Sequence, residues 1–247
     1  PNTACMNKNS LIKAITKKTK VLMPVHLYGI SCEMDEIINI AKQNKLAIVE
    51  DASQGVGVFY KHKHVGLFGE FGILSYYGNK TITTGEGGIV LTKEKELRNK
   101  IYMLKNHGRM TKGTFIHETL GWNFSFTEMQ AAIGISQMNK LNRIINQKDK
   151  LYRKYSEQIK SKNIQMKSVP NSTTSPVHWF TNIVCEDAKN LQNYLKSFDI
   201  PTRRIFYPLN NQPCLINNKN VLNHNDNFNN SDYAFRTLLS LPSSVLM

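Results

Sequence analysis

The sequence predicts an α/β protein: a large part over residues 1–165 built on a sheet with parallel strands, then a smaller α+β part over residues 166–247. Three observations predict it. Residues 20–53 read as strand, helix, strand. Residues 69–108 add two more strands and a helix. After a turn-rich stretch beginning at Lys167 the pattern restarts on a smaller scale.

The elements follow in order. "KVLMPVHLYG" (20–29) is an apolar run closed by a turn signal, the pattern of a buried strand. In "SCEMDEIINIAKQNK" (31–45), Met34, Ile37, Ile38 and Ala41 share one helical face, with Ser31 as cap and Glu33 in the first turn. "LAIVEDAS" (46–53) is a second buried strand, so the three form a βαβ unit, expected to be parallel and right-handed. "GEFGILSYYG" (69–78) and "GGIVLT" (87–92) are further strands. In 93–108, Leu97, Ile101 and Leu104 line a helix that Gly108 terminates. Residues 127–160 carry a helical stripe from Met129, Ile133, Met138, Leu141 and Ile145 to Leu151, Tyr155 and Ile159, as one long helix or two in tandem. "KSVPNSTTSP" (167–176) reads as a linker. Then come a strand (178–186), a helix (188–199), a strand (202–208) and an asparagine-rich exposed loop (217–232).

The 247 residues carry a net charge of +14. Phosphate-backbone binding is one reading of that charge. The lysines, however, fall in short scattered groups such as "KKTK" and "KEK" without interleaved aromatics, which favours solvated faces and no nucleic-acid partner. A basic surface also suits an anionic small substrate. No run approaches eighteen apolar residues, so no membrane-spanning helix is expected. Cys5, Cys32, Cys185 and Cys214 form no CxxC pair and no spacing with histidine that suits zinc. Reduced thiols in a cytoplasmic protein are the expectation.

In parallel α/β sheets, ligands gather at the carboxyl ends of the strands. Asp51 stands at one such end and Lys80 beyond another. Each has a plain alternative, a helix cap or surface pair for Asp51 and a solvated loop lysine for Lys80. Lys80 is followed by the hydroxyls and glycines of "TITTGEGG", which suit a phosphate or a tight loop but match no phosphate-binding motif. A carboxylate at one strand end and a lysine about 30 residues on suggest pyridoxal phosphate, which takes a lysine for its Schiff base and an acid for its ring nitrogen.

Four stretches give the sequence a resemblance: "PVHLYG" (24–29), "VEDASQGVGVFYKHKHVGLFGEFGILSYYGNKTITTGEGG" (49–88), "GWNFSFTEMQAAIG" (121–134) and "TRRIFYPL" (202–209). In this order they resemble the DegT/DnrJ/EryC1/StrS family of sugar-nucleotide aminotransferases, which have the aspartate aminotransferase (type I) fold. The wording of 78–88 looks most like the perosamine synthase branch, acting at C4 of a 4-keto-6-deoxyhexose nucleotide. The resemblance implies pyridoxal 5'-phosphate on Lys80, with Asp51 at its ring nitrogen, Gln54 at its ring oxygen and Ser75 at its phosphate. It also implies a homodimer in which Asn123 reaches the neighbouring subunit's phosphate site. His26, Glu86, Arg109 and Arg203 are implied to shape the site or meet the sugar nucleotide. A sister branch that removes the C3 hydroxyl carries histidine where this chain has Lys80. Ser125 stands where the family usually has arginine, and Asn210 where it often has histidine. The family's preceding segment, which adds a phosphate contact and a ring over the cofactor, and some residues at the far end lie outside the sequence. The expectation is therefore a partial chain of an aminating enzyme, with glutamate as donor and an amino sugar for a polysaccharide, lipopolysaccharide or glycan as product.

Overall fold

The computed structural model describes residues 3–111, 113–216 and 228–244. Helix α1 (Lys8–Ala14) leads into a first sheet. Strand β1 (Val21–Leu22), helix α2 (Met34–Asn44) and strand β2 (Ala47–Asp51) are the predicted βαβ unit, and β1 and β2 pair in parallel. A short hairpin follows, β3 (Phe59–Tyr60) and β4 (Lys63–His64), before β5 (Phe71–Ser75) and β6 (Gly88–Leu91). The sheet order is β1-β2-β5-β6, with β5 parallel to β2 and β6 antiparallel to β5. The carboxyl ends of three parallel strands therefore open on one edge.

Sequence pattern explains most of this. Helix α2 buries Met34, Ile37, Ile40 and Ala41 against the sheet. Strand β2 alternates, burying Ile48 and Glu50 while Asp51 turns to the opposite face. Gly29 has φ +76, and a Cβ there would lie 1.6 Å from the Val177 carbonyl oxygen, so only glycine fits that turn.

Helices α3 (Lys95–Lys105), α4 (Glu128–Met138) and α5 (Leu141–Gln158) follow. The stripe over 127–160 resolves into two helices in tandem, broken at Asn139–Lys140. Thr127 caps α4 through a capping box with Gln130. The apolar stripe of α4 is exposed, from Met129 at 78% to Met138 at 48%.

A second sheet lies beyond. It comprises β7 (Ile164–Met166), β9 (Thr181–Cys185), β10 (Arg203–Arg204) and β11 (Leu238–Leu241), antiparallel in the order β10-β11-β9-β7. Helices α6 (Ala188–Lys196) and α8 (Asn229–Thr237) belong to the same region, with the short α7 (Pro213–Ile216) between them in sequence. Ile183, Leu239 and Leu241 form its core.

Several expectations are corrected. Ser31 does not cap α2; Glu33 holds that position, and the Ser31 hydroxyl meets Thr173 Oγ1 at 2.7 Å. The stretch 167–176 is no linker. Its β8 (Thr173–Ser175) pairs with β3, and this hydroxyl-rich strand hides because it lacks an apolar pattern. The run 20–29 gives only a two-residue strand with Val21 and Met23 exposed, followed by a bridge from Val25 to Asp51. Of the loop expected at 217–232, residues 229–232 are the first turn of α8, and 217–227 lie outside the described residues.

Candidate functional site

The site forms where β2 and β5 end. In the sheet register Asp51 pairs with Ile73, two residues before Ser75, and the chain then turns through Tyr77 to Lys80. Asp51 is half-buried, and its Oδ1 accepts the Ser53 N–H at 3.0 Å. Its backbone carbonyl accepts the His26 N–H at 3.0 Å, fixing the strand end.

Lys80 is partly buried. Burial pushes its ammonium below the ordinary lysine range; the Asp51 carboxylate opposes the shift, and the Arg203 guanidinium reinforces it. Asp51, Lys80 and Arg203 thus share one electrostatic neighbourhood. Lys80 Nζ rests 4.4 Å from the centroid of the Trp179 ring.

Trp179 was not singled out from sequence, where "HWF" reads as strand core. Its indole N–H donates to the Asn79 carbonyl at 2.6 Å, pinning the loop that carries Lys80. Its own carbonyl accepts the buried Lys148 ammonium at 3.0 Å, and the same ammonium reaches the Ser243 carbonyl at 2.9 Å. The indole also stacks on Tyr28, and Tyr28 on Phe206, at centroid distances of 6.2 and 5.6 Å. The Arg203 guanidinium lies 5.8 Å from the Phe206 ring. An aromatic wall therefore closes one side of the lysine, built by the second region of the chain together with Tyr28.

Gln54 is held against this wall: its Oε1 accepts the Tyr28 N–H at 2.7 Å. Tyr28 itself has φ +57, a left-handed conformation uncommon for a bulky residue. Ser75 Oγ accepts the Tyr77 N–H at 3.3 Å.

Beneath the site is a second feature that the sequence reading missed. Glu50 is fully buried. Its carboxylate accepts N–H groups of Gly66, Phe68 and Gly69 at 2.7, 2.6 and 2.9 Å and meets His26 Nε2 at 3.1 Å. Burial pushes its carboxyl up, but these hydrogen bonds outweigh burial and hold it below the usual carboxylate range. His26 Nδ1 accepts the Cys32 N–H at 3.1 Å, so Nε2 carries the proton donated to Glu50. His26 is thus buried and bonded on both nitrogens. The available signal was the alternation of β2, which places Glu50 beside Ile48 on the buried face.

The remaining expected residues have other partners within the chain. Among the described residues, no hydrogen bond, ion pair or ring contact joins Glu86, Arg109 or Asn123 to Lys80 or Asp51. Arg109 ties its own loop together, donating to the Thr114 carbonyl at 2.7 Å. Asn123 is exposed and bridges to Asn106. Glu86 is exposed, and its carbonyl accepts the Gln130 side chain at 2.9 Å. No cluster of three or more metal-ligating side chains occurs among the described residues. No helix among them is long and apolar enough to cross a membrane.

The sequence matches the DegT/DnrJ/EryC1/StrS aminotransferase family over residues 1–247. It is 35% identical over 213 residues to GDP-perosamine synthase of Escherichia coli O157:H7, covering 84% of this chain and 57% of that protein. It is 33% identical over 169 residues to a UDP-N-acetyl-3-dehydro-α-D-glucosamine 3-aminotransferase of Acidithiobacillus ferrooxidans, covering 68% and 45%. Among solved structures, S. venezuelae DesV in complex with a ketimine intermediate superposes with a TM-score of 0.89 at 28% identity, over 98% of this chain and 64% of that one. The chain thus spans about half the length of these curated relatives.

Proposed function

The chain belongs to the DegT/DnrJ/EryC1/StrS aminotransferase family, and from that premise we propose that it carries the lysine-bearing part of an enzyme that aminates C4 of a nucleotide-linked 4-keto-6-deoxy sugar. The observation that carries the proposal is the Lys80 amine, pushed toward its neutral form at the strand edge that also presents Asp51. The GDP-perosamine synthase relative supports the sugar class.

The residues present fit pyridoxal phosphate. An aldehyde takes an uncharged amine, and a pyridine nitrogen takes an acid; Lys80 and Asp51 supply both from neighbouring strand ends. When bound, the cofactor supplies an aldehyde that accepts amines and a ring that takes up an electron pair. Lys80 Nζ would be its attachment point. Asp51 would face its ring nitrogen, Gln54 its ring oxygen, and Ser75 its phosphate together with Asn123 from a second copy.

With the cofactor bound, Lys80 Nζ would be the group to take a proton from one carbon and return it to another. That role needs an amine that is neutral part of the time, which burial favours and Asp51 limits. Trp179 keeps Nζ on the site side by its ring face and by its bond to Asn79. Arg203, exposed at the rim, is suited to an anionic group of a sugar nucleotide or of glutamate, the proposed donor.

The test is incubation of the protein with pyridoxal phosphate, glutamate and GDP-4-keto-6-deoxymannose, following the amino sugar by mass spectrometry. A product aminated at C4 supports the reading; amination of 3-keto sugar nucleotides instead would replace it with the activity named for the A. ferrooxidans relative. No amination of either sugar would reject both.

A further inference from the structure

Tyr28 is a bulky residue with a left-handed backbone, φ +57 and ψ +30, and Gly29 follows it at φ +76. A bulky residue keeps that conformation only where its surroundings over-determine it, and such residues collect at functional positions. Three backbone contacts hold the turn. The Tyr28 N–H donates to Gln54 Oε1 at 2.7 Å, the Val177 N–H to the Gly29 carbonyl at 3.0 Å, and the Cys32 N–H to His26 Nδ1 at 3.1 Å. None of them uses the Tyr28 side chain, so the turn serves to place that side chain.

The ring leaves the first region for the second. It is buried, and it stacks on Trp179 and on Phe206 at interplanar angles of 23° and 17°. Its hydroxyl oxygen accepts the Phe206 N–H at 3.3 Å. Burial pushes this hydroxyl up to about 12, against the Phe206 N–H and the Arg203 guanidinium, so at neutral pH it acts by position and not by charge. The two rings it touches serve different cations. Trp179 carries Lys80 Nζ over its face at 4.4 Å. Phe206 lies 5.8 Å from the Arg203 guanidinium, which is also 5.7 Å from Phe180, the neighbour of Trp179. Lys80 comes from the first region and Arg203 from the second, and Tyr28 stacks on a ring partner of each.

We propose that Tyr28 is a positioning residue of the amination site: it sets Arg203 relative to Lys80 by fixing Phe206 with its hydroxyl and ring, and Trp179 with its ring. This placement rests on the amination reading and explains how a cation of the second region is registered against the lysine of the first. An anionic substrate held by Arg203 then meets Lys80 in one pose. Loss of the Tyr28 hydroxyl should therefore be felt in substrate binding before it is felt in proton transfer.

The test compares Tyr28→Phe and Tyr28→Leu with the wild type by two readouts. The first is steady-state amination of GDP-4-keto-6-deoxymannose with glutamate. Arg203→Ala identifies which of the two substrates Arg203 holds, by raising its KM. Tyr28→Phe keeps the ring and loses the bond to Phe206, so the same KM should rise about fivefold, the scale of one hydrogen bond, with kcat within about twofold. Added to Arg203→Ala, it should raise that KM by less than about twofold, because its effect runs through Arg203. The second readout is the pH midpoint for acylation of Lys80 by acetic anhydride in the cofactor-free protein, mapped by mass spectrometry. The charged groups acting on Lys80 are Asp51 and Arg203. Tyr28→Leu frees Trp179 and should raise the midpoint as the burial of Lys80 relaxes; Tyr28→Phe, which keeps the ring, should restore it. An unchanged KM in Tyr28→Phe would overturn the proposal, as would an effect equally large in the Arg203→Ala background. A lower melting temperature with both readouts at wild-type values would make Tyr28 a packing residue only and reject its positioning role. A wild type that aminates neither sugar would reject the amination reading instead. The acylation midpoint then decides on Tyr28 alone, and equal midpoints in Tyr28→Leu and the wild type would count against it. Should Tyr28→Leu fail to fold, the KM and kcat of Tyr28→Phe decide.

Discussion

The two sheets bury polar groups in different ways. The first sheet places ionisable side chains at and beneath its strand ends: Glu50 and His26 inside, Asp51 and Lys80 at the edge. The second buries hydroxyls and amides that satisfy one another, such as Ser240 with Asn182 at 2.6 Å and the Thr181 N–H with Ser243 at 2.8 Å. Parallel strands leave their carboxyl ends together on one edge, where loops can present charged groups around a shared ligand. Antiparallel strands alternate direction and gather no such edge. The second sheet contributes shape instead, through Trp179, Phe206 and the cation of Arg203. The molecule thus draws its reactive groups from one region and their confinement from the other.

The division can be broken at its reactive end first. Lys80→Ala should lower amination by at least about a hundredfold, the scale of a lost general acid–base group, with the thermal midpoint unchanged because Lys80 is only partly buried. A variant with wild-type turnover would remove Lys80 from the mechanism.

Glu50→Gln sharpens the contrast between buried charge and buried neutral polarity. One oxygen becomes an amide donor facing N–H groups, which costs about 1–3 kcal/mol per unsatisfied group. Denaturant melts should show it. The Glu50 carboxyl lies below its usual range, so its stabilisation is present above the ordinary carboxylate pKa of 4.5 and lost as pH falls through the folded value. The variant should lack that part of the acid-side loss.

Lys148→Met cuts the link between the regions and leaves the Trp179 and Ser243 carbonyls without the ammonium. The expected cost is again about 1–3 kcal/mol for each buried carbonyl left unpaired. Its pH signature has the same sign as that of Glu50 but falls in a higher window. Burial lowers Lys148 from 10.5 to about 8, so across that window the unfolded chain holds a proton that the folded chain has released. Stability therefore rises with pH there, and the wild type should gain on the variant from pH 8 to 10.

The smallest effect is expected of Trp179→Phe, which keeps a ring near Lys80 and loses the bond to Asn79. A cost near 1 kcal/mol, the worth of one hydrogen bond, should appear in melts. Trp179→Leu also removes the ring face, and the pH midpoint for acylation of Lys80 should then differ from that in the Phe variant.

What was legible in the sequence follows the same division. The βαβ unit announced itself because α2 and β2 carry unmixed periods, 3.6 in one and 2 in the other. Asp51 and Lys80 could be named because strand-end position is readable from the end of an apolar run. Glu50 was passed over beside Asp51 because adjacent strand residues face opposite ways, and only one of the two faces the edge. Trp179 escaped because its part depends on Asn79 and Lys80, a hundred residues earlier in the chain. Strand β11 escaped too: "LLSL" near the end of the sequence was assigned to no element, although pairing on both edges and complete burial make it an inner strand of the second sheet. Local pattern reports an element, whereas the partners of a side chain are settled by tertiary contacts that no short window contains.

The central claim is that Lys80 is the cofactor lysine. The most direct measurement mixes the protein with pyridoxal phosphate, reduces with borohydride and locates the modified peptide by mass spectrometry, with Lys80→Ala alongside. The account predicts a stoichiometric label on Lys80 that vanishes in the variant. Label scattered over surface lysines, or unchanged in Lys80→Ala, would contradict it.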